Sequence, residues 1–75
     1  MIIRELAHLT AAINEESWQW LQDNTPMLAD ALQREVAAGA TAEEIRQAAM
    51  RMTQRPALAL RLRQAAAFLR ATSDE

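Results

Sequence analysis

Hydrophobic residues recur along the chain with the period of an α-helix, and polar interruptions divide that pattern into four segments. In the first segment, the apolar positions fall within an arc of about 120° on a helix that turns about 100° per residue. These positions are Ile2, Ile3, Leu6, Leu9, Ile13, Trp20 and Leu21. The pattern predicts one amphipathic helix over residues 2–22, with this stripe facing the core. A break near Asn14 is the alternative, because Asn14 followed by Glu15, Glu16 and Ser17 resembles the start of a second, shorter helix.

After the first segment, the sequence indicates the end of one helix and the start of the next. Thr25 is a favoured N-cap residue, and Pro26 fits the first position of a helix, where its missing N–H is not needed. We therefore expect helix 2 over residues 26–38, and Gly39 suits the left-handed conformation that closes a helix.

The second half of the chain contains sequence signals for the starts of two further helices. Thr41 and Glu44 have the spacing of a capping box, in which each side chain binds the other residue's backbone N–H. This predicts helix 3 over residues 42–53. Pro56 disfavours helical angles at the residue before it, which places a short turn there and helix 4 over residues 56–71.

The composition agrees with four helices and no strand. Alanine, leucine, glutamine, glutamate and arginine dominate the 75 residues, and glycine occurs once. Short connections favour neighbouring helices that are antiparallel or sharply crossed. We therefore predict an all-α fold, a compact four-helix bundle or orthogonal helical array, as a single domain over residues 1–75.

Two of the predicted helices carry more apolar surface than one core needs. Trp18 and Trp20 lie about 200° apart on an ideal helix, so only Trp20 fits the stripe. Trp18 falls with Ala7 and Ala11, a face that either another helix of the same chain or a partner covers.

Helix 4 shows the same surplus. One stripe consists of Leu58, Leu62, Ala65, Ala66 and Leu69, and the opposite side holds Leu60, Ala67, Phe68 and Ala71. A helix that is apolar nearly all round is either central in its domain or shared with another chain. We therefore expect a partner, a second copy or another protein, at Trp18, Leu60, Arg63, Ala67, Phe68 and Arg70.

The charges are sorted by position. Residues 1–45 hold eight acids and two arginines, net −6, whereas residues 46–73 hold six arginines and no acid, net +6. These six are Arg46, Arg51, Arg55, Arg61, Arg63 and Arg70. Either the two parts neutralise each other within the fold, or the arginines meet an anionic partner.

Three interpretations of the arginines follow. Glu5, Asp30, Glu35 and Glu43 would neutralise them across helix contacts, as surface ion pairs. An acidic protein partner would bind them, or a nucleic acid would, with helices 3 and 4 as a helix-turn-helix and all six arginines in contact. The connecting turn lacks glycine and the pI is about 5.3, which disfavours nucleic acid.

Few residues suit catalysis or cofactor binding. His8 is the single histidine, there is no cysteine, and one glycine does not make a phosphate-binding loop. We expect no enzymatic activity, cofactor, metal or small-molecule substrate, no membrane insertion, and a cytoplasmic location. The sequence favours a small helical interaction module, an adaptor, inhibitor or accessory subunit that docks through helix 4 and the Trp18 face.

Overall fold

A computed structural model describes residues 4–73, with side chains from residue 5 onward, and these residues form four α-helices. The helices are α1 (Arg4–Asn24), α2 (Pro26–Ala37), α3 (Ala42–Met52) and α4 (Pro56–Ser73). Their packing confirms the predicted all-α bundle. Helix α1 is continuous through Asn14, so the alternative of two shorter helices is wrong. The predicted start at residue 2, and Ile2 and Ile3 of the stripe, lie outside the described residues.

Thr25 alone separates α1 from α2, and it does not act as predicted. Its Oγ1 donates to the Leu21 carbonyl oxygen at 3.3 Å, and the side chain makes no capping hydrogen bond to α2. Pro26 does occupy the start of α2. The hydroxyl therefore closes the last turn of α1, because a threonine directly after a helix can bond back to the carbonyl four residues earlier.

The connection from α2 to α3 matches its sequence pattern. Gly39 has φ of +87°, the left-handed conformation expected at a helix end. Thr41 Oγ1 accepts from the Glu44 N–H at 3.1 Å, and the Glu44 carboxylate accepts from the Thr41 N–H at 2.8 Å. The capping box is therefore confirmed, and its hydrogen bonds lower the pKa of Glu44.

The core lies where α4 meets the other helices. Helix α4 contacts all three neighbours, α1 most extensively, and it buries Leu62, Ala65 and Ala66. Leu21 and Leu32 are the other large side chains that are fully buried. Alanines on α3 and α4 let the helix backbones approach closely, so a small chain can still enclose a core.

Trp18 belongs to this core. Its side chain is 7% exposed and packs with Leu21 in the buried cluster. The interpretation in which another helix of the chain covers Trp18 is therefore correct, and a solvent-facing docking role for Trp18 is wrong. Trp20, expected in the core stripe, is partly buried at the edge of the cluster.

The first half of α1 lies outside the core. Every residue from Glu5 to Ile13 is exposed, and Leu6, Leu9 and Ile13 are 55%, 56% and 43% exposed. The prediction that these three side chains face the core is wrong. Helix α1 has 21 residues and is about 31 Å long, and it packs against α4 and α2, which leave its first half uncovered.

Among residues 4–73, none of the helices combines the length and apolar character that crossing a bilayer requires.

Candidate protein-docking site

A surface groove of about 410 Å³ lies between the start of α3 and the exposed side of α4. Helix α4 contributes Leu60, Arg63, Gln64, Ala66, Ala67 and Arg70, and α3 contributes Ala42, Glu43, Ile45 and Arg46. Asn14 of α1 completes the lining. We refer to this depression as the α3–α4 groove.

The groove presents one ridge of α4. Leu60 and Ala67 are seven residues apart, about two helical turns, and Arg63 and Arg70 have the same spacing beside them. Leu62, on another side of the helix, is buried. Leu60 is 49% exposed, so the ridge offers an apolar contact bordered by two cations.

Glu43 and Arg46 form an ion pair on the α3 side of the groove. The Arg46 guanidinium donates from Nε to Glu43 Oε1 at 3.0 Å and from Nη2 to Oε2. Gln47 Nε2 also donates to Glu43 Oε2 at 3.1 Å. The hydrogen bonds from Arg46 and Gln47, with a smaller attraction from Arg63, lower the pKa of Glu43, and Glu43 raises the pKa of Arg46. Glu43 therefore stays ionised at neutral pH.

Arg63 and Arg70 have no such partner. Among residues 5–73 the ion pairs are Asp30–Arg34 at 2.8 Å and Glu43–Arg46, and each lies within one helix. The predicted pairing of Glu5, Asp30, Glu35 and Glu43 with the arginines across helix contacts does not occur in this part of the chain. Within the described range, Arg63 and Arg70 thus face the groove without a carboxylate in contact.

Four of the six predicted docking residues meet in the groove. Leu60, Arg63, Ala67 and Arg70 all line it, because they share one ridge of one helix. Phe68 is partly buried and packs against the core, so it lies beside the groove's residues without lining it. Trp18, as described above, is a core residue.

The six arginines of the nucleic-acid hypothesis do not share this surface. Arg46, Arg63 and Arg70 line the groove, whereas Arg51 and Arg55 do not. The Arg61 guanidinium carbon lies 4.4 Å from the centroid of the Trp20 ring, a cation–π contact between α4 and α1. Packing therefore places the six arginines on different surfaces, although they form one basic stretch of the sequence.

A second apolar surface adjoins the groove and was not predicted. Leu6, Leu9 and Ile13 form an exposed stripe on the first half of α1. Ile13 and Glu16 share a hollow of about 300 Å³ with Ala57 and Leu60. Leu60 lines both this hollow and the groove, so the α1 stripe and the α4 ridge form neighbouring parts of one surface. The one signal for this in the sequence is the length of the first apolar segment relative to the others.

His8 is exposed on α1. In the part of the chain that the structure describes, no three histidine or acidic side chains are grouped as metal ligands would be.

Comparison with protein-family models, with curated proteins and with solved structures finds no match to this chain. The groove and the α1 stripe are therefore interpreted from their own geometry and charge.

Proposed function

We propose that this chain is a non-enzymatic helical interaction module, an adaptor, inhibitor or accessory subunit, that binds a protein through the α3–α4 groove. The observation that carries the proposal is the combination in one groove of exposed Leu60 with Arg63 and Arg70, neither in contact with a carboxylate of residues 5–73. Apolar contact supplies affinity, and charged groups at its edge supply specificity and orientation. The cytoplasm remains the expected location.

The shape of the groove favours a helix as its ligand. Grooves between two helices bind amphipathic helices through apolar residues spaced one or two turns apart. Leu60 and Ala67 are spaced in this way, and the small Ala67 side chain leaves room for a larger one from the partner. Arginine prefers carboxylates, which it binds through two parallel hydrogen bonds. The partner that fits is therefore an amphipathic helix with acidic residues beside its apolar stripe.

Nucleic acid is the second candidate ligand. It is also favoured by Arg63 and Arg70, which no carboxylate of residues 5–73 contacts. Two observations weigh against it. Arg51 and Arg55 do not line the groove, and Arg61 is already stacked on Trp20, so the six arginines do not form one phosphate-binding surface. We therefore favour a protein ligand.

A pair of charge-reversed variants tests the proposal. Arg63→Glu with Arg70→Glu changes the groove, and Arg51→Glu with Arg55→Glu makes the same change in charge outside it. Each chain is tagged and used to capture partners by crosslinking from native lysate. We expect the groove variant to lose the captured protein and the control to retain it, because only the first alters the binding surface.

The same two variants address the nucleic-acid candidate. Wild-type chain is titrated with duplex DNA at low salt, where phosphate contacts are strongest. Duplex binding that both double variants abolish would replace the protein-binding proposal with nucleic-acid binding. Equal capture of protein partners by the wild type and the groove variant would also contradict the proposal.

A further inference from the structure

We infer that the α3–α4 groove binds the first half of α1, residues 5–16, from a second copy of this chain. This inference rests on the proposed function and names its partner. The chain would then form a dimer in which each copy inserts its α1 segment into the groove of the other.

The α1 segment has the properties that the groove requires of a ligand. It is already helical, and all residues from Glu5 to Ile13 are exposed. Its apolar side chains Leu6, Leu9 and Ile13 lie on one side of the helix. A preformed helix loses little conformational entropy on binding, which favours this segment over a disordered peptide.

The spacing of the segment matches that of the ridge. Leu6 and Ile13 are seven residues apart, as are Leu60 and Ala67 on α4. Seven residues correspond to about 10 Å along either helix, so both contacts can form in one register. Ala67 has a small side chain, which leaves space for one of the larger α1 residues.

The charges of the two surfaces are opposite. Glu5 and Glu16 lie on the edge of the α1 stripe, at about 75° and 55° from its centre. Neither carboxylate forms an ion pair among residues 5–73, and neither does Arg63 or Arg70. Among residues 5–73, Glu43–Arg46 is the one ion pair that joins the acidic part of the chain to the arginine-rich part. A second copy supplies the matching charges in equal number.

The segment leaves most of its own chain's groove uncovered. Asn14 is the one residue of the segment that lines the groove, and every residue from Glu5 to Ile13 is exposed. A second copy can therefore bring its segment into the groove, and a two-fold axis repeats the contact, which doubles the buried area.

Mass measurement by analytical ultracentrifugation, over a range of concentrations, tests the inference with full-length variants. Leu9→Arg places a cation in the apolar stripe of the segment, and Ala11→Arg makes the same change on the opposite side of α1 as the control. Arg63→Glu with Arg70→Glu alters the groove, and Ala67→Arg is a second groove variant. All of these positions are exposed, so circular dichroism should report unchanged helix content.

We expect wild type and Ala11→Arg to reach the mass of two 8.4 kDa chains. The segment and groove variants should dissociate at least about tenfold more readily, because each places an unfavourable charge in the contact. Mixing Leu9→Arg with the groove double variant should restore dimers. One wild-type segment then meets one wild-type groove, whereas each variant alone has no such contact and dimerises weakly.

Two results overturn the inference. The first is a groove double variant that dimerises like wild type, which means that α1 stripes pack on each other instead. The second is a wild-type chain that stays monomeric at every concentration. In that case the capture experiment tests the proposed function separately. If the groove double variant fails to capture a different protein that the wild type captures, the proposed function is retained. If the two capture it equally, the proposed function is wrong.

Discussion

The two halves of α1 each carry three large apolar side chains, in opposite surroundings. The second half holds Trp18 and Leu21, which are buried against α2 and α4, whereas the first half exposes Leu6, Leu9 and Ile13. The same helix continues through both. Apolar periodicity therefore shows which side of a helix prefers to be covered, and it does not show whether the same chain covers it.

This difference separates what the two halves contribute to the folded monomer. A buried leucine contributes through its packing, and an exposed leucine contributes little. We therefore expect substitutions in the second half of α1 to cost more stability than those in the first half.

Leucine truncation should distinguish the halves most strongly. Leu21→Ala removes a side chain that is 0% exposed, and we expect it to lower the free energy of unfolding by about 3 kcal/mol. Leu9→Ala should change it by less than about 0.5 kcal/mol when the chain is monomeric. Urea denaturation at low protein concentration measures both. Similar losses for the two variants would contradict the assignment of the first half to the surface.

Loss of a polar contact should give a smaller difference. Ser17 is buried, and its hydroxyl donates to Gln64 Oε1 of α4 at 2.6 Å. Ser17→Ala should destabilise the fold by about 1 kcal/mol, because the amide oxygen loses its donor. Thr10→Ala, in the exposed half, is the matched control and should have little effect. If the two hydroxyls prove equivalent by urea denaturation, Ser17 does not connect α1 to α4.

The cation–π contact between Arg61 and Trp20 lies at the edge of the packed half of α1. Arg61→Gln removes the charge over the Trp20 ring and should cost about 0.5 to 1 kcal/mol. Arg51→Gln makes the same change in charge without a tryptophan contact and should cost less. Tryptophan fluorescence should also shift only in the first variant, since Trp20 becomes more exposed to water. An unchanged spectrum would argue against the stacking.

Acid should weaken the hydrogen bonds that two glutamates of α3 accept. The pKa of Glu43 is lowered by hydrogen bonds from Arg46 and Gln47, and that of Glu44 by those of Thr41. A lowered pKa in the folded state stabilises the fold above the ordinary value of 4.5, and this contribution disappears as the pH falls through the lowered values. Stability should therefore decrease on acidification below about pH 5. The stability of Glu44→Gln should depend less on pH than that of the wild type. An identical pH dependence of stability would exclude a contribution from Glu44.

The sequence predicted local features well because these depend on nearby residues. The capping box of Thr41 and Glu44, the left-handed Gly39 and the start at Pro26 each involve only a few consecutive positions. Four residues of the α3–α4 groove were also grouped from the sequence, since Leu60, Arg63, Ala67 and Arg70 lie on one side of α4 by helical periodicity alone.

Features that depend on packing between helices were not predicted. Whether Trp18 or Trp20 enters the core depends on the angles at which α2 and α4 pack against α1. The sequence alone does not determine these two packing angles. The exposure of Leu6 and Leu9 depends on which part of α1 the other helices contact, and periodicity along the chain does not contain that information. Thr25 was assigned to the wrong helix because a threonine between two helices can bond to either one.

Hydrogen exchange of the backbone amides at several protein concentrations tests the docking role of the exposed half of α1 most directly. We predict that exchange slows with rising concentration at residues 8–13 and at residues 60–67, and that amides near Leu21 keep the same rate. Exchange at residues 8–13 that is equally fast at every concentration, with no protein partner present, would contradict docking between copies.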